Sequence, residues 1–90
     1  MNWKDTSSYS RGQTDRVPHC WTLKIEEISI DVINAHRDDP GAWVMHCYAL
    51  GIEKRWLKIP RESTPEQAQS AAIKIVKDHV YRLTDIVNLL

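Results

Sequence analysis

From Cys20 onward apolar and polar residues alternate with a period of two: Trp21, Leu23 and Ile25 against Thr22, Lys24 and Glu26, then Ile28, Ile30 and Val32 against Ser29 and Asp31. Such alternation puts the apolar side chains on one face of a strand. The phase slips by one at Glu26 and Glu27, which predicts a bulge or bend that re-aims the second half of the strand. Residues 42–50, rich in aromatic and β-branched side chains, predict a second strand, Gly51 a tight reversal, and residues 53–59 a third. With the reversal at Leu50-Gly51-Ile52, Met45 faces Leu57 and Trp43 faces Ile59, giving an apolar face of Trp43, Met45, Cys47, Leu57 and Ile59. The opposite face then pairs His46 with Trp56, Tyr48 with Lys54 and Val44 with Lys58. Between the first two strands Asp38-Asp39-Pro40-Gly41 reads as a turn, proline presetting φ and glycine accepting a positive value.

After Pro60 the period changes. Thr64 as N-cap, Pro65 at the first helical position, Glu66 in the first turn and Gln67 closing a capping box mark a helix start. Ala68, Ala72, Ile75, His79, Leu83, Ile86 and Leu90 follow at spacings of four and three, with Ala71, Val76, Val80 and Val87 widening the stripe and Lys74, Lys77, Asp78, Arg82 and Asp85 on the solvent side. The stripe begins with alanines, which permit close approach to a sheet, and ends with bulky residues. A helix over residues 64–90 runs about 39 Å, whereas strands of seven to nine residues span about 25–30 Å, so its last turns overhang the sheet. That leaves Leu83, Ile86, Val87, Leu89 and Leu90 as a candidate self-association surface.

Residues 1–17 are mostly Ser, Thr, Asp, Arg, Gln and Gly without apolar period, the composition of a disordered polar tail in which Trp3 and Tyr9 stand out. The expected architecture is therefore α+β: a tail over residues 1–17, then one domain over residues 18–90 made of a three-stranded antiparallel β-meander with a long C-terminal helix on one face.

Composition narrows the function classes. Lys plus Arg and Asp plus Glu balance at 12 each, against a nucleic-acid binder or a DNA mimic that works by bulk charge. Two cysteines, Cys20 and Cys47, are too few for a disulfide framework, and no apolar run reaches the ~18 residues of a membrane span, so a cytoplasmic protein is expected. The pairs His19-Cys20 and His46-Cys47 invite a zinc reading, but neighbours on a strand point to opposite faces and no ligand spacing supports it; no metal and no cofactor are expected. His79 sits on the helix stripe, where a lone histidine reads as a core or boundary residue. Ser, His and Asp occur without a local catalytic signature, and Gly12, Gly41 and Gly51 are isolated, so there is no phosphate loop and no expected catalytic residue. The open sheet face carries the more informative set, His46, Tyr48, Lys54, Trp56 and Lys58, with Arg55 and Arg61 at its rim: exposed aromatics among cations, suited to a protein hot spot or to stacking on bases.

Three antiparallel strands followed by a helix resemble the latter part of a double-stranded-RNA-binding domain, but Pro65-Glu66-Gln67-Ala68-Gln69 stands where that family carries its Lys-Lys-x-Ala-Lys signature, and Glu66 would repel phosphate. The Thr64-Pro65-Glu66-Gln67-Ala68 helix start is similar to that of HicB-type antitoxins. In organisation, a polar tail before one sheet-plus-helix unit, the chain resembles small accessory proteins of phages and mobile elements, some of them anti-CRISPR inhibitors. That resemblance implies an inhibitor acting by protein contact; the open sheet face and the overhanging helix end lead to the expectation of a non-enzymatic protein-binding module, with a homodimer or a heteromeric contact through the helix end. The alternative is a small single-stranded nucleic-acid or RNA-binding domain, or a HicB-like antitoxin.

Overall fold

The computed structural model describes residues 2–9, 11, 12, 14, 16–34, 39 and 41–90. The expected α+β class is present, but the sheet has five antiparallel strands rather than three, in the order of the chain. They are β1 (Trp3–Asp5), β2 (Cys20–Ile25), β3 (Ile28–Ile33), β4 (Val44–Cys47) and β5 (Ile52–Trp56), followed by a single helix, α1 (Pro65–Val87).

The first correction lies at Glu26 and Glu27. The expected bulge is a two-residue hairpin turn, with Ile25 opposite Ile28, Leu23 opposite Ile30 and Trp21 opposite Val32. Directly opposed residues share a face, so apolar positions at 21, 23 and 25 and at 28, 30 and 32 all point the same way. A two-residue reversal shifts the alternation by one, as a bulge would, and the period alone does not separate the two. Glu26 takes φ +53°, the left-handed region that a side chain disfavours by about 1 kcal/mol. Glu26→Gly is therefore expected to stabilise the fold by about 0.5–1 kcal/mol, measured as a raised midpoint in urea unfolding; an unchanged or lowered midpoint refutes the strained turn.

The second correction is β1, which lies inside the stretch expected to be a tail. Lys4 pairs with Thr22, Trp3 with Leu23 and Asp5 with Trp21, and Trp3 packs against the core. Past the strand, the Ser7 hydroxyl accepts the backbone N–H groups of His19 at 2.8 Å and Cys20 at 3.0 Å, while Thr6 N–H donates to the Cys20 carbonyl at 2.9 Å. The Tyr9 ring stands edge-on to His19 and under the Arg16 guanidinium. The segment is thus tied down mainly by hydroxyl groups and ring contacts, which leave no periodic trace in the sequence.

The third correction is the register of β4 on β5. Trp56 lies opposite Val44 rather than His46, and Met45 lies opposite Arg55 rather than Leu57; the ladder shifts between Met45 and Cys47, where Cys47 meets Ile52. Two causes act together. Tyr48–Leu50 coil into a 3-10 turn that Gly51 ends in the left-handed region, and a bulge places Lys54 at φ +49°. Trp43 continues the ladder by accepting the N–H of Leu57 at 2.9 Å rather than facing Ile59. The expected turn at residues 38–41 falls partly outside the described residues; Gly41 has φ +92°, and Arg61 holds Asp39 through two contacts of 2.7 and 2.8 Å.

The core lies between one sheet face and the first half of α1: Leu23, Ile30, Val32, Trp43, Met45, Cys47, Ile52 and Leu57 from the sheet, Ala68 and Ala72 from the helix. The helix crosses the central strand β3. Its start is capped as the sequence predicts, with Gln67 N–H donating to Thr64 Oγ1 and Thr64 N–H to Gln67 Oε1. Beyond His79 every helical residue is exposed, and the molecule is long for its girth at 54 × 27 × 23 Å. No helix is long and apolar enough to cross a membrane among the described residues.

Candidate functional site

The sheet face away from α1 is the open one, and the ladders fix what it presents. Its centre carries Thr22, Asp31 and His46 side by side on β2, β3 and β4, since Thr22 opposes Asp31 and Asp31 opposes His46. Beside them Ile33, Val44 and Trp56 form a second row. Val44 is fully buried yet lies outside the core under the helix, so this face has a small apolar patch of its own.

At the β4–β5 end the bulge shapes the site. Turning Lys54 into the left-handed region aims its backbone N–H at His46, which accepts it on Nδ1 at 2.8 Å and so carries the proton of its neutral ring on Nε2. The fixed imidazole stacks on Tyr48, ring centroids 5.3 Å apart and planes within 8° of parallel. Tyr48 is 61 % exposed and Trp56 39 % exposed, which places Trp56 on the open face but two residues along from its expected partner. Lys54 and Lys58 are both exposed, Lys58 past the end of β5. Of the five residues expected on this face, the structure brings His46, Tyr48 and Lys54 into one interlocked unit. Trp56 stands farther along the same edge strand.

The β1–β2 end holds a hydrogen-bonded row whose members no motif or spacing groups. Thr22 Oγ1 donates to Asp31 Oδ1 at 2.6 Å, which uses its one proton, so Thr6 is the donor at the 2.8 Å contact between the two hydroxyls. Thr6 Oγ1 also lies 3.3 Å from Cys20 Sγ. The row joins the segment just past β1 to β2 and β3 on the open face, and pairing its members requires the register.

Neither thiol is activated. Burial pushes the Cys20 thiol up against the lowering contact of the Thr6 hydroxyl, with the carboxylates of Asp31 and Asp5 adding smaller upward effects, and burial likewise raises Cys47, which is fully enclosed in the core. A thiol held neutral is a poor nucleophile. The sign of the linkage follows: with folded values above the ordinary 9.0, the unfolded chain loses these protons first, so stability is full below pH 9.0 and falls as pH rises through and beyond it. We expect a urea midpoint that declines above pH 9.0 more steeply in the parent than in a Cys20→Ser, Cys47→Ala variant; equal slopes exclude the thiols as its source.

At the other side of the molecule, where α1 leaves the sheet, a cleft is lined by Ile52, Arg55, Ile75, Asp78, His79 and Arg82. His79 is half-buried there, at the boundary of the core. Leu83, Ile86, Val87, Leu89 and Leu90 are all exposed past the sheet. No group of three or more His, Cys, Asp or Glu stands together in a way that would hold a metal ion among the described residues. No family model, curated protein or solved structure compared with this chain matches it.

Proposed function

We propose that this chain is a non-enzymatic protein-binding module that engages a protein partner through its open sheet face, acting as an inhibitor by contact in the manner of small phage accessory proteins of the anti-CRISPR kind. The observation that carries the reading is the His46–Tyr48 stack, locked by the Lys54 N–H, with Trp56 farther along the same open face. Protein hot spots favour aromatic rings that lose little freedom on binding, and here the imidazole beneath Tyr48 is already fixed. The neutral thiols and the isolated glycines supply no reacting group, and the balanced charge gives no long-range pull on nucleic acid. A cytoplasmic site of action goes with this reading.

The test is capture from native lysate with the full chain and with a Tyr48→Ala, Trp56→Ala variant, read by quantitative mass spectrometry beside thermal unfolding of both. A partner retained by the parent and reduced at least tenfold with the variant, at similar unfolding temperature, supports the reading. Identical captured sets overturn it. A second reading is single-stranded nucleic-acid binding, favoured by the flat, 61 % exposed Tyr48 ring with Lys54 beside it. It requires affinity for a fluorescent oligonucleotide that falls steeply with salt and is lost in Trp56→Ala.

A further inference from the structure

The cleft between the edge strand β5 and the departing helix gathers two arginines and two isoleucines around one space. Arg55 stands opposite Met45 and Ile52 opposite Cys47. Directly opposed residues share a face, and Met45 and Cys47 are core residues under α1, so Arg55 and Ile52 lie on the helix side of the sheet. On α1, Ile75, Asp78, His79 and Arg82 follow at spacings of three, one and three, which places them on one face of successive turns. The cleft lined by these six side chains holds about 230 Å³. Ile52, buried, and Ile75, half-buried, supply its apolar lining, one from each element. The guanidinia likewise come one from the strand and one from the helix. Neither has an ion-pair or side-chain hydrogen-bond partner among the described residues, although Asp78 stands one turn before Arg82.

Two planar cations that line one cleft without a counter-charge suit an oxyanion, which a guanidinium holds through paired N–H donors. Charge narrows the choice. Arg55 and Arg82 against Asp78 leave one positive charge, which a carboxylate cancels and a phosphate dianion exceeds, and Asp78 repels the extra negative charge. Size narrows it further: a cavity of about 150 Å³ takes benzene, whereas drug-sized ligands need about 300 Å³ or more. We propose that this cleft binds a small organic acid, its single carboxylate between Arg55 and Arg82 and its aromatic or branched aliphatic group against Ile52 and Ile75. The site lies on the opposite side of the sheet from the His46–Tyr48 stack and does not depend on the reading of that face.

Titration of the full, isotope-labelled chain with phenylacetate near neutral pH, followed by amide chemical shifts, tests the proposal. The expected result is saturating shifts centred on Ile52, Arg55, His79 and Arg82, with a dissociation constant of about 1 mM or lower. Benzyl alcohol keeps the ring without the charge, and inorganic phosphate keeps the charge without the ring. Each is expected to bind at least about tenfold more weakly than phenylacetate. Arg55→Gln with Arg82→Gln, both at exposed positions that the fold does not need, should weaken phenylacetate at least about tenfold. Asp78→Asn, which removes the competing carboxylate, should tighten it by about two- to fivefold. Lys4→Gln with Lys24→Gln, cations on the open face, should leave it unchanged. The absence of saturable shifts up to about 50 mM phenylacetate overturns the proposal. So does phosphate that binds as tightly as phenylacetate, or a double glutamine variant that binds as the parent does, because the paired guanidinia and their apolar lining would then not be the receptor.

Discussion

Replacing Trp43 by phenylalanine is expected to leave folding stability within about 1 kcal/mol of the parent, whereas Trp43→Ala should remove about 3–5 kcal/mol. Trp43 is buried at the head of β4, its ring centroid 5.9 Å from that of Trp21, and its Nε1–H meets no acceptor among the described residues. Removing the indole altogether opens a cavity that close-packed neighbours such as Met45 and Leu57 fill only in part. Phenylalanine keeps most of the ring contact and deletes the unpaired donor, whose burial costs about 1–3 kcal/mol. In a domain of this size the alanine variant should unfold on the order of 15–30 °C lower. Chemical and thermal unfolding of the two variants checks the contrast. Equal losses for Phe and Ala would mean that the indole N–H is paired, against the geometry found.

The second large effect separates the two halves of α1. Ala72→Leu, and Ala68→Leu in the same way, is expected to destabilise the fold by about 1–3 kcal/mol, because both alanines are fully buried where the helix approaches the sheet and added methylenes must push the two apart. Leu89→Ala, past the sheet and 85 % exposed, should change stability at low protein concentration by no more than about 0.5 kcal/mol. The two helix halves thus differ in their response to a change in side-chain size. Urea midpoints measured at micromolar protein decide it: a neutral or stabilising Ala72→Leu would show that the helix–sheet gap has room, and the division of labour along α1 would fail.

Only part of the candidate site is legible in the sequence, and its arrangement is not. Alternation alone leads to the expectation of His46, Tyr48, Lys54, Trp56 and Lys58 on one face; the structure joins the first three and leaves Lys58 past the end of β5. Which of them touch does not, because the Lys54 bulge and the 3-10 turn at Tyr48–Leu50 displace one strand against the other. Both depend on a non-glycine residue or a short coil adopting a conformation that local composition does not favour. The Thr6, Thr22 and Asp31 row is hidden for another reason: its members lie 16 and 9 positions apart, and only the ladder brings them together.

Four features of this protein follow from local sequence: the α+β class, the capped start of α1, the alanines at its sheet-facing turns and the apolar faces of β2 and β3. Each of these is written in interactions between residues a few positions apart, the Thr64 and Gln67 box three apart and the strand alternation two apart. Three others emerge only in the folded chain: the sheet has five strands, Trp3–Asp5 is one of them, and Trp56 stands opposite Val44. Those outcomes rest on contacts between distant residues, hydroxyl groups bonding to backbone across β1 and β2 and a reversal whose length sets the register, and such pairings carry no period along the chain.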